Sequence, residues 1–351
     1  MNMENIVKEA TKDSFAMEHL ISDPKTVVVG CGGAGNNSVD RLQRIGLWGA
    51  RTIAINTDRA HLERVHADQR VLIGKRITRG MGAGGHPEIA EHCAEEAREE
   101  LELILKGADI TFITAGMGGG TGTGTAPIVA EVAKELGSVV VSMATVPFSA
   151  EGRNRGQKAA IGLDKLKKNS DSTIILANDK LLRMVPNMPV NQAFSVMDQM
   201  ISEVIKEITD AINQPSLINL DFADLKTIMT GGGAATILYG ENTAGDANTV
   251  VAEALDNPLV DVDYAGATSA LIHITSGPEL NLKTTTRVVQ GFADVMDSEA
   301  NVIFGARVDP KFAGQLKVLA VINGVEMDYC VLPSLQMERE SAQNAYMPMV
   351  R

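Results

Sequence analysis

The sequence predicts an α/β protein: a parallel sheet flanked by helices, joined by a long helix to a second, α+β domain. Three observations lead there. Apolar, β-branched runs alternate with helical stretches through the first half of the chain, as in sheets built from crossover units. Glycine-rich segments follow directly on two of these runs, where ligands bind such sheets, beyond the strand carboxyl ends. Past Pro215 the rhythm changes, and strands are separated by only one or two helices.

The first strand is TVVVG, 26–30, apolar and β-branched like a strand buried on both faces. It runs into CGGAGNN, 31–37, and then into SVDRLQRIG, which has a helical pattern. TIAIN (52–56) and RVLIG (70–74) are the next strands, followed by the glycine-rich loop RGMGAGGHP, 79–87. Pro87 suits the first position of a helix, where its missing N–H costs nothing, and that helix is expected to run to about Lys106. DITFITAG (109–116) is a strand followed by GMGGGTGTGT, 116–125; Pro127 is expected to start the next helix, ending near Gly137. SVVVSMATVPF (138–148) and STIILAND (172–179) complete the strands of this half.

One helix is predicted from Val190 to Asn213. Met197, Met200, Ile201, Val204, Ile205, Ile208 and Ile212 recur at three and four, with Glu203, Lys206, Glu207 and Asp210 largely between them. Some 20 helical residues span about 30 Å, enough to connect two halves. Beyond it, 236–241, 269–275, 301–308 and 316–322 are expected as strands, and 246–256 and 283–297 as helices. From about Tyr329 to Arg351 little periodicity remains, and this stretch is expected to be a tail folding on contact with a partner.

Composition bounds the function. The 351 residues fit about two domains. Aromatic residues make up only 4%, so the core must be mostly Val, Ile, Leu, Met and Ala. A formal net charge of -12 argues against broad nucleic-acid binding, which needs basic surface to neutralise phosphates. Cys31, Cys93 and Cys330 form no CxxC or zinc pattern, as expected in a reducing compartment. No apolar run reaches about 18 residues, so no membrane span is expected. The charged N-terminus is not patterned as a signal peptide.

The sharpest local signal is GGGTGTG, 118–124. Successive backbone N–H groups between a strand and a helix cradle oxyanions, and the helix N-terminus adds partial positive charge. Glycine lets backbone approach phosphate with no Cβ in the way; Thr121 and Thr123 can add hydroxyls. The loop GCGGAGNN, 30–37, resembles a dinucleotide fingerprint superficially, and Asp58, soon after the second strand, is arguable as a ribose clamp. A dinucleotide-dependent oxidoreductase, however, has no use for a second phosphate loop. Two phosphate-facing loops on one sheet suit a nucleoside triphosphate, and the lysine-based pattern GxxxxGK[ST] is absent.

Further candidates follow other strands. Glu151 and Arg155, in PFSAEGRNR, are four apart and share a face on a helix, either as a surface ion pair or beside a ribose. Asn178 follows the 172–177 run. Asp198 and Phe194 lie one turn apart early in the long helix; a carboxylate accepts from guanine N1–H and its exocyclic amine, and a phenyl face stacks on a base, though core packing also accounts for Phe194. In LINLDFADLKTIM, 217–229, Asp221 and Asp224 stand together with Asn219 nearby. Paired carboxylates bind Mg²⁺ or orient a water; a helix cap followed by a surface aspartate is the other reading of the same residues. Lying past the far end of the long helix, they are not expected to reach the phosphate loops of their own chain.

Taken together, GGGTGTG with a glycine-rich first loop, PFxxEGxxR, NDKLL and LINLDFADLKTIM resemble FtsZ, the prokaryotic tubulin-like GTPase family of cell division, over roughly residues 24–325. The charged N-terminal arm and CGGAG look like archaeal members. The resemblance implies a tubulin/FtsZ-like fold: an N-terminal arm (1–24), a Rossmann-like GTP-binding domain (25–189), a central connecting helix (190–214), an activation domain (215–328) and a tail (329–351). It implies GTP or GDP held by Gly32, Gly33, Asn36, Gly118, Gly119, Gly120, Thr121, Gly122, Thr123 and Gly124. Glu151 and Arg155 would lie on the ribose side, Asn178 and Asp198 would recognise guanine, and Phe194 would stack near it. Mg²⁺ would be bound mainly through phosphates and water. Asn219, Asp221 and Asp224 would act on the nucleotide of the adjacent subunit in a head-to-tail homopolymer, since a heterologous contact that does not close gives open filaments. A cytoplasmic protein concentrated at the division site is implied, with a membrane-tethering or division-regulating partner. A tubulin-like paralogue of structural or regulatory role, with weak GTPase or assembly activity, is the other expectation.

Overall fold

The computed structural model describes residues 25–214, 216–218, 220–230, 234–242, 246–256 and 262–327. The arm over 1–24, Asn219, Pro215 and the tail lie outside the described residues. In the first half, β1 (Thr26–Cys31), α1 (Gly32–Ile45), β2 (Ala50–Asn56), α2 (Arg59–Leu62) and β3 (Gln69–Leu72) are followed by α3 (Pro87–Glu96) and α4 (Arg98–Leu105). Then come β4 (Ile110–Gly116), α5 (Thr121–Glu135), β5 (Val139–Val146), α6 (Arg153–Asn169), β6 (Ser172–Ala177) and α7 (Asn178–Met184). The long α8 (Val190–Asn213) leads to α9 (Phe222–Met229), β7 (Ala234–Asn242), α10 (Ala247–Leu255), β8 (Val262–Asp263), β9 (Ser269–Ser276), α11 (Leu282–Ala293), β10 (Asn301–Val308) and β11 (Leu316–Met327).

The strands form one continuous sheet in the order β10-β9-β11-β7-β6-β5-β4-β1-β2-β3, with β8 paired to β11. From β3 to β6 every neighbouring pair is parallel. Val27, Val29 and Cys31 enter one buried cluster and Val28 another, so β1 is covered on both faces, as its unbroken apolar run requires. The two halves of the sheet meet at a short parallel pairing, Thr173 with Ala234 and Ile174 with Ala235. Past it, β11 is antiparallel to both β7 and β9.

Helix α8 has the predicted bounds. Its stripe of Met197, Ile201, Val204, Ile205 and Ile208 is buried with Val28, Phe112 and Met143 from the first half, and with Leu271, Leu319 and Val321 from the second. At about 1.5 Å per residue it is roughly 36 Å long. Near its start, Asp198 meets Ser38 of α1. At its end, Asn213 Nδ2 donates to Gly49 O, just before β2, at 3.4 Å. The helix therefore runs from the carboxyl-end side of the parallel strands to the amino-end side.

A charged seam lies where α8 crosses the second half of the sheet. Lys317 Nζ donates to Glu207 at 2.6 Å and sits 5.4 Å from the Tyr239 ring centroid. His273 is buried with Nδ1 3.8 Å from Glu207. Burial pushes its pKa down to about 4, against the attraction of Glu207.

Two expectations are corrected. The helix expected to begin at Pro127 begins at Thr121, with Pro127 inside it. As the seventh residue, Pro127 removes the N–H that would bond the Thr123 carbonyl, and its ring crowds that carbonyl, so its place inside the helix runs against its local preference. The single helix expected from Pro87 to Lys106 is two. At Ala97 (φ -96°, ψ 8°) the chain turns, with Ala97 N–H bonded to Ala94 O. The turn sets Arg98 against Glu95, Glu102, Glu131 and Glu135, drawing the acidic helix pair onto α5. Among the described residues no helix is long and apolar enough to cross a membrane.

Candidate nucleotide site

The two glycine-rich loops meet beyond the carboxyl ends of β1 and β4. A Cβ on Gly32 would stand 2.6 Å from Gly122 N, and one on Gly122 would stand 2.7 Å from Gly116 O. Gly32 also has a φ of +74°, a conformation costly for residues with a Cβ. Close backbone packing thus explains these two glycines. Gly119 differs: nothing lies within 4 Å of a Cβ placed there. Its lack of a side chain serves open space in front of the loop, where an oxyanion would lie.

Both flanking helices point their N-termini into that space. Neither α1, starting at Gly32, nor α5, starting at Thr121, has a side-chain cap or an acidic residue in its first turn. Their first N–H groups have no partner within the helix, and no carboxylate competes with an incoming anion. Thr121 Oγ1 lies 2.7 Å from Thr57 Oγ1, fastening the end of β2 to α5. Thr123 faces inward, its hydroxyl accepting from Gly118 N–H at 2.9 Å to brace the loop. The 79–87 loop forms another wall: a Cβ on Gly120 would meet Ala83 Cβ and His86 N at 3.0 Å, and Lys158 Nζ donates to Gly85 O at 2.7 Å.

Asn36 and Asn178 are buried beside this edge. Asn36 Nδ2 donates to Ile55 O at 3.3 Å, but its Oδ1 has no protein partner, and neither has Oδ1 of Asn178. Orphaned buried amide oxygens are costly, and a ligand with N–H or O–H donors would satisfy them. Together with the open face of Gly119 they fit a nucleotide.

Asp198 sits where α8 crosses α1. Its Oδ1 accepts from Ser38 Oγ at 2.9 Å, and Ser202 Oγ ties the helices by donating to Ser38 O at 3.0 Å. Burial pushes the Asp198 pKa up to about 6, with the Ser38 hydrogen bond and Arg41 opposing. Phe194 is 41% exposed, so it is not a closed core residue. It meets Phe148 edge-to-face, ring centroids 5.6 Å apart. Phe148 N–H donates to Glu151 Oε1 at 2.8 Å, and Glu151 is ion-paired with Arg155. Asp58 is an N-cap, accepting from His61 N–H at 3.1 Å, an arrangement that engages the carboxylate suggested as a ribose clamp. Ser38 and Thr57 carry no local sequence signal, and Phe148 only its place in PFxxEGxxR; their partners, 160, 64 and 46 residues away, give them meaning.

The aspartate segment is elsewhere. Asp221 caps α9, accepting from Asp224 N–H at 2.7 Å, while Asp224 accepts from Asp221 N–H at 3.3 Å. This is the reciprocal capping box of helix starts. Asp221 is nonetheless exposed, and Leu217 nearby is 68% exposed. The far end of α9 is held by Asn323 Nδ2, which donates to Ile228 O at 2.7 Å, while Asn323 Oδ1 accepts from Ser172 at the amino end of β6. Among the described residues, no group of three or more His, Cys, Asp or Glu could hold a metal ion.

Similarity to known proteins follows the same division. A family model described as "Tubulin/FtsZ family, GTPase domain" matches residues 25–186, and one described as "FtsZ family, C-terminal domain" matches residues 233–326. "Cell division protein FtsZ 2" of Methanocaldococcus jannaschii is 52% identical over 333 residues, covering 93% of this chain and 87% of its own length. The protein of the same name from Haloferax volcanii is 45% identical over 354 residues, covering 98% and 88%. Among solved structures, "FtsZ dimer, empty (M. jannaschii)" superposes with a TM-score of 0.81 at 42% identity, covering 92% of each chain. The chain therefore belongs to the FtsZ family of tubulin-like GTPases, with archaeal relatives prominent among its matches.

Proposed function

We propose that the chain hydrolyses GTP at a site completed between two copies of itself, one supplying the nucleotide cradle and the next supplying Asp221 and Asp224. As a member of its family the chain binds and hydrolyses GTP and polymerises into filaments for cell division. The observation that carries the shared-site reading is the placement of the aspartates. They follow the end of α8 that reaches Gly49, whereas the cradle adjoins its start. Head-to-tail stacking of identical subunits brings those two ends together, and a contact of that kind propagates as an open filament.

In this reading, the N-termini of α1 and α5 and the 118–124 backbone hold the phosphates and stabilise charge that develops on them. Asp198, ionised when bound, accepts from guanine N1–H and its amine; Asn178 adds its free amide oxygen, and Phe194 lies against the base. Glu151 and Arg155 stand on the ribose side. Asp221 and Asp224 of the next copy, with Asn219, orient and deprotonate the attacking water. Mg²⁺ would be held mainly through phosphates and water and would supply further neutralisation of phosphate charge. Loss of the terminal phosphate at such a boundary weakens it, which couples turnover of the filament to chemistry. We place the protein in the cytoplasm at the division site, recruited there by a membrane-tethering or regulatory protein.

The test is GTP turnover per subunit against protein concentration, with light scattering recorded in parallel. A rate that rises steeply above a threshold, together with scattering, supports a site shared between copies. A constant rate per subunit without scattering overturns it.

A further inference from the structure

The loop after β2 carries a histidine that the nucleotide reading above leaves unused. His61 is the third residue of the short α2, whose N-cap is Asp58. Two features orient its imidazole. Asn56 Oδ1 accepts from the N–H groups of Thr57 at 2.9 Å and Asp58 at 3.2 Å. That fixes which end of the Asn56 amide is oxygen, so the amide nitrogen is the end facing His61 Nδ1, at 3.4 Å. An NH₂ group only donates. His61 Nδ1 must therefore accept, and the neutral ring carries its proton on Nε2.

That N–H faces the cradle. A Cβ built on Gly33 would stand 3.9 Å from His61 Nε2. Gly33 is exposed and is the second residue of α1, whose uncapped N-terminus opens on the anion-binding space. The same loop is fastened to the start of α5 by the Thr57–Thr121 hydroxyl pair. His61 thus borders the N-terminus of α1, on a loop that is itself fastened to the N-terminus of α5, and the described residues show no hydrogen bond from its Nε2.

We infer that His61 is a phosphate-contacting residue: its Nε2–H, held in that tautomer by Asn56, donates to a phosphate oxygen of the bound nucleotide. This rests on the nucleotide reading of the site. The ring needs no added proton for the role, because the neutral form already presents a donor. It complements the backbone N–H groups with a side chain that follows the phosphates rather than the base.

The experiment measures binding of GTP and of guanosine to wild-type, His61→Phe and His61→Gln proteins below the assembly threshold, with thermal unfolding of each. Hydrogen bonds to charged groups are strong enough that loss of one lowers affinity about tenfold or more. His61→Phe is expected to weaken GTP by that factor and leave guanosine unchanged, while His61→Gln, which keeps a side-chain N–H, stays within about threefold of wild type. Equal GTP affinity in wild type and His61→Phe overturns the inference, as does a parallel loss of GTP and guanosine, which marks a structural role. Should His61→Phe not fold, His61→Ala takes its place under the same criteria. Failure of the wild-type protein itself to bind GTP would instead defeat the nucleotide reading on which the inference rests.

Discussion

The two ends of α8 solve opposite problems with opposite materials. At its start the molecule offers backbone: uncapped helix N-termini, a glycine with empty space in front of it, and buried amide oxygens without partners. At its end it offers carboxylates, Asp221 and Asp224, already satisfied by each other's backbone N–H groups. The first end is incomplete without a ligand. The second has its carboxylates satisfied without a ligand, and Asp221 is still exposed. A phosphate cradle has to be built from donors that glycine leaves accessible, whereas a catalytic carboxylate can double as a helix cap until a neighbour brings it a substrate.

The sharpest break of that comparison comes from separating the two roles of Asp221. Asparagine caps helices about as well as aspartate, so Asp221→Asn keeps the cap and removes the carboxylate. Positioned acid–base groups contribute about 100-fold or more. Asp221→Asn is therefore expected to cut GTP turnover by about that factor, with unchanged thermal stability and unchanged GTP affinity of the unassembled protein. Loss of stability in step with activity would reduce Asp221 to its capping role.

On the cradle side, two glycines should separate by cause. Gly119→Ala places a methyl in open space; it should unfold like wild type yet bind GTP about tenfold more weakly, the scale of losing one charge-assisted hydrogen bond. Gly35→Ala places one 2.1 Å from Thr114 O, and overpacking of that kind typically costs about 1–3 kcal/mol. It should lower the unfolding temperature whether or not nucleotide is present. Reversed behaviour of the pair would mean that the space at Gly119 is not where phosphate lies.

Acid pH should weaken base recognition before it weakens the fold. With Asp198 pushed up to about 6, an ionised acceptor is progressively lost below that pH. Guanosine affinity should then fall about tenfold for each pH unit further down, and Asp198→Asn should bind guanosine weakly at every pH. The effects on stability oppose one another. Asp198 holds its proton more tightly folded than unfolded, so its contribution is present below about 3.8 and is lost as pH rises through about 6. His273, depressed from 6.5 to about 4 by burial, contributes above 6.5 and loses that contribution as pH falls towards 4. His273→Gln should therefore flatten the acid limb of the unfolding curve without touching guanosine affinity. The smallest effect is expected at Phe194. It is partly exposed and meets Phe148 only at an edge, so Phe194→Ala should cost about threefold in guanosine affinity, within the range of single aromatic contacts.

Legibility in the sequence divided along the same line. The bounds of α8 and the positions of the strands in the first half follow from periodicity, because buried apolar stripes leave a direct trace. The cradle was visible because close backbone approach demands glycine at fixed places. Where α5 begins is not legible, because Pro127 carries the signal of a helix start and the Gly-Thr run before it has the composition of a loop. The break at Ala97 left no trace either: no proline or glycine marks it, and it depends on glutamates of α5 more than 30 residues away. The joining of the two half-sheets by two residue pairs between β6 and β7 is likewise a long-range fact. For Asp221 and Asp224, cap and catalysis remain compatible with one local pattern, and only their position at the far end of α8 separates the two.

The central claim is that one copy's cradle works with the next copy's aspartates, and complementation between two defective chains tests it most directly. Asp221→Asn copies keep an intact cradle; Gly119→Ala copies keep intact aspartates. Each is assayed alone and in an equal mixture, at a GTP concentration that saturates the first and leaves the second largely empty. If copies alternate at random, about a quarter of the interfaces pair an intact cradle with intact aspartates, and turnover should recover to about that fraction of wild type. Turnover in the mixture no greater than the mean of the two variants alone would contradict a site shared between subunits.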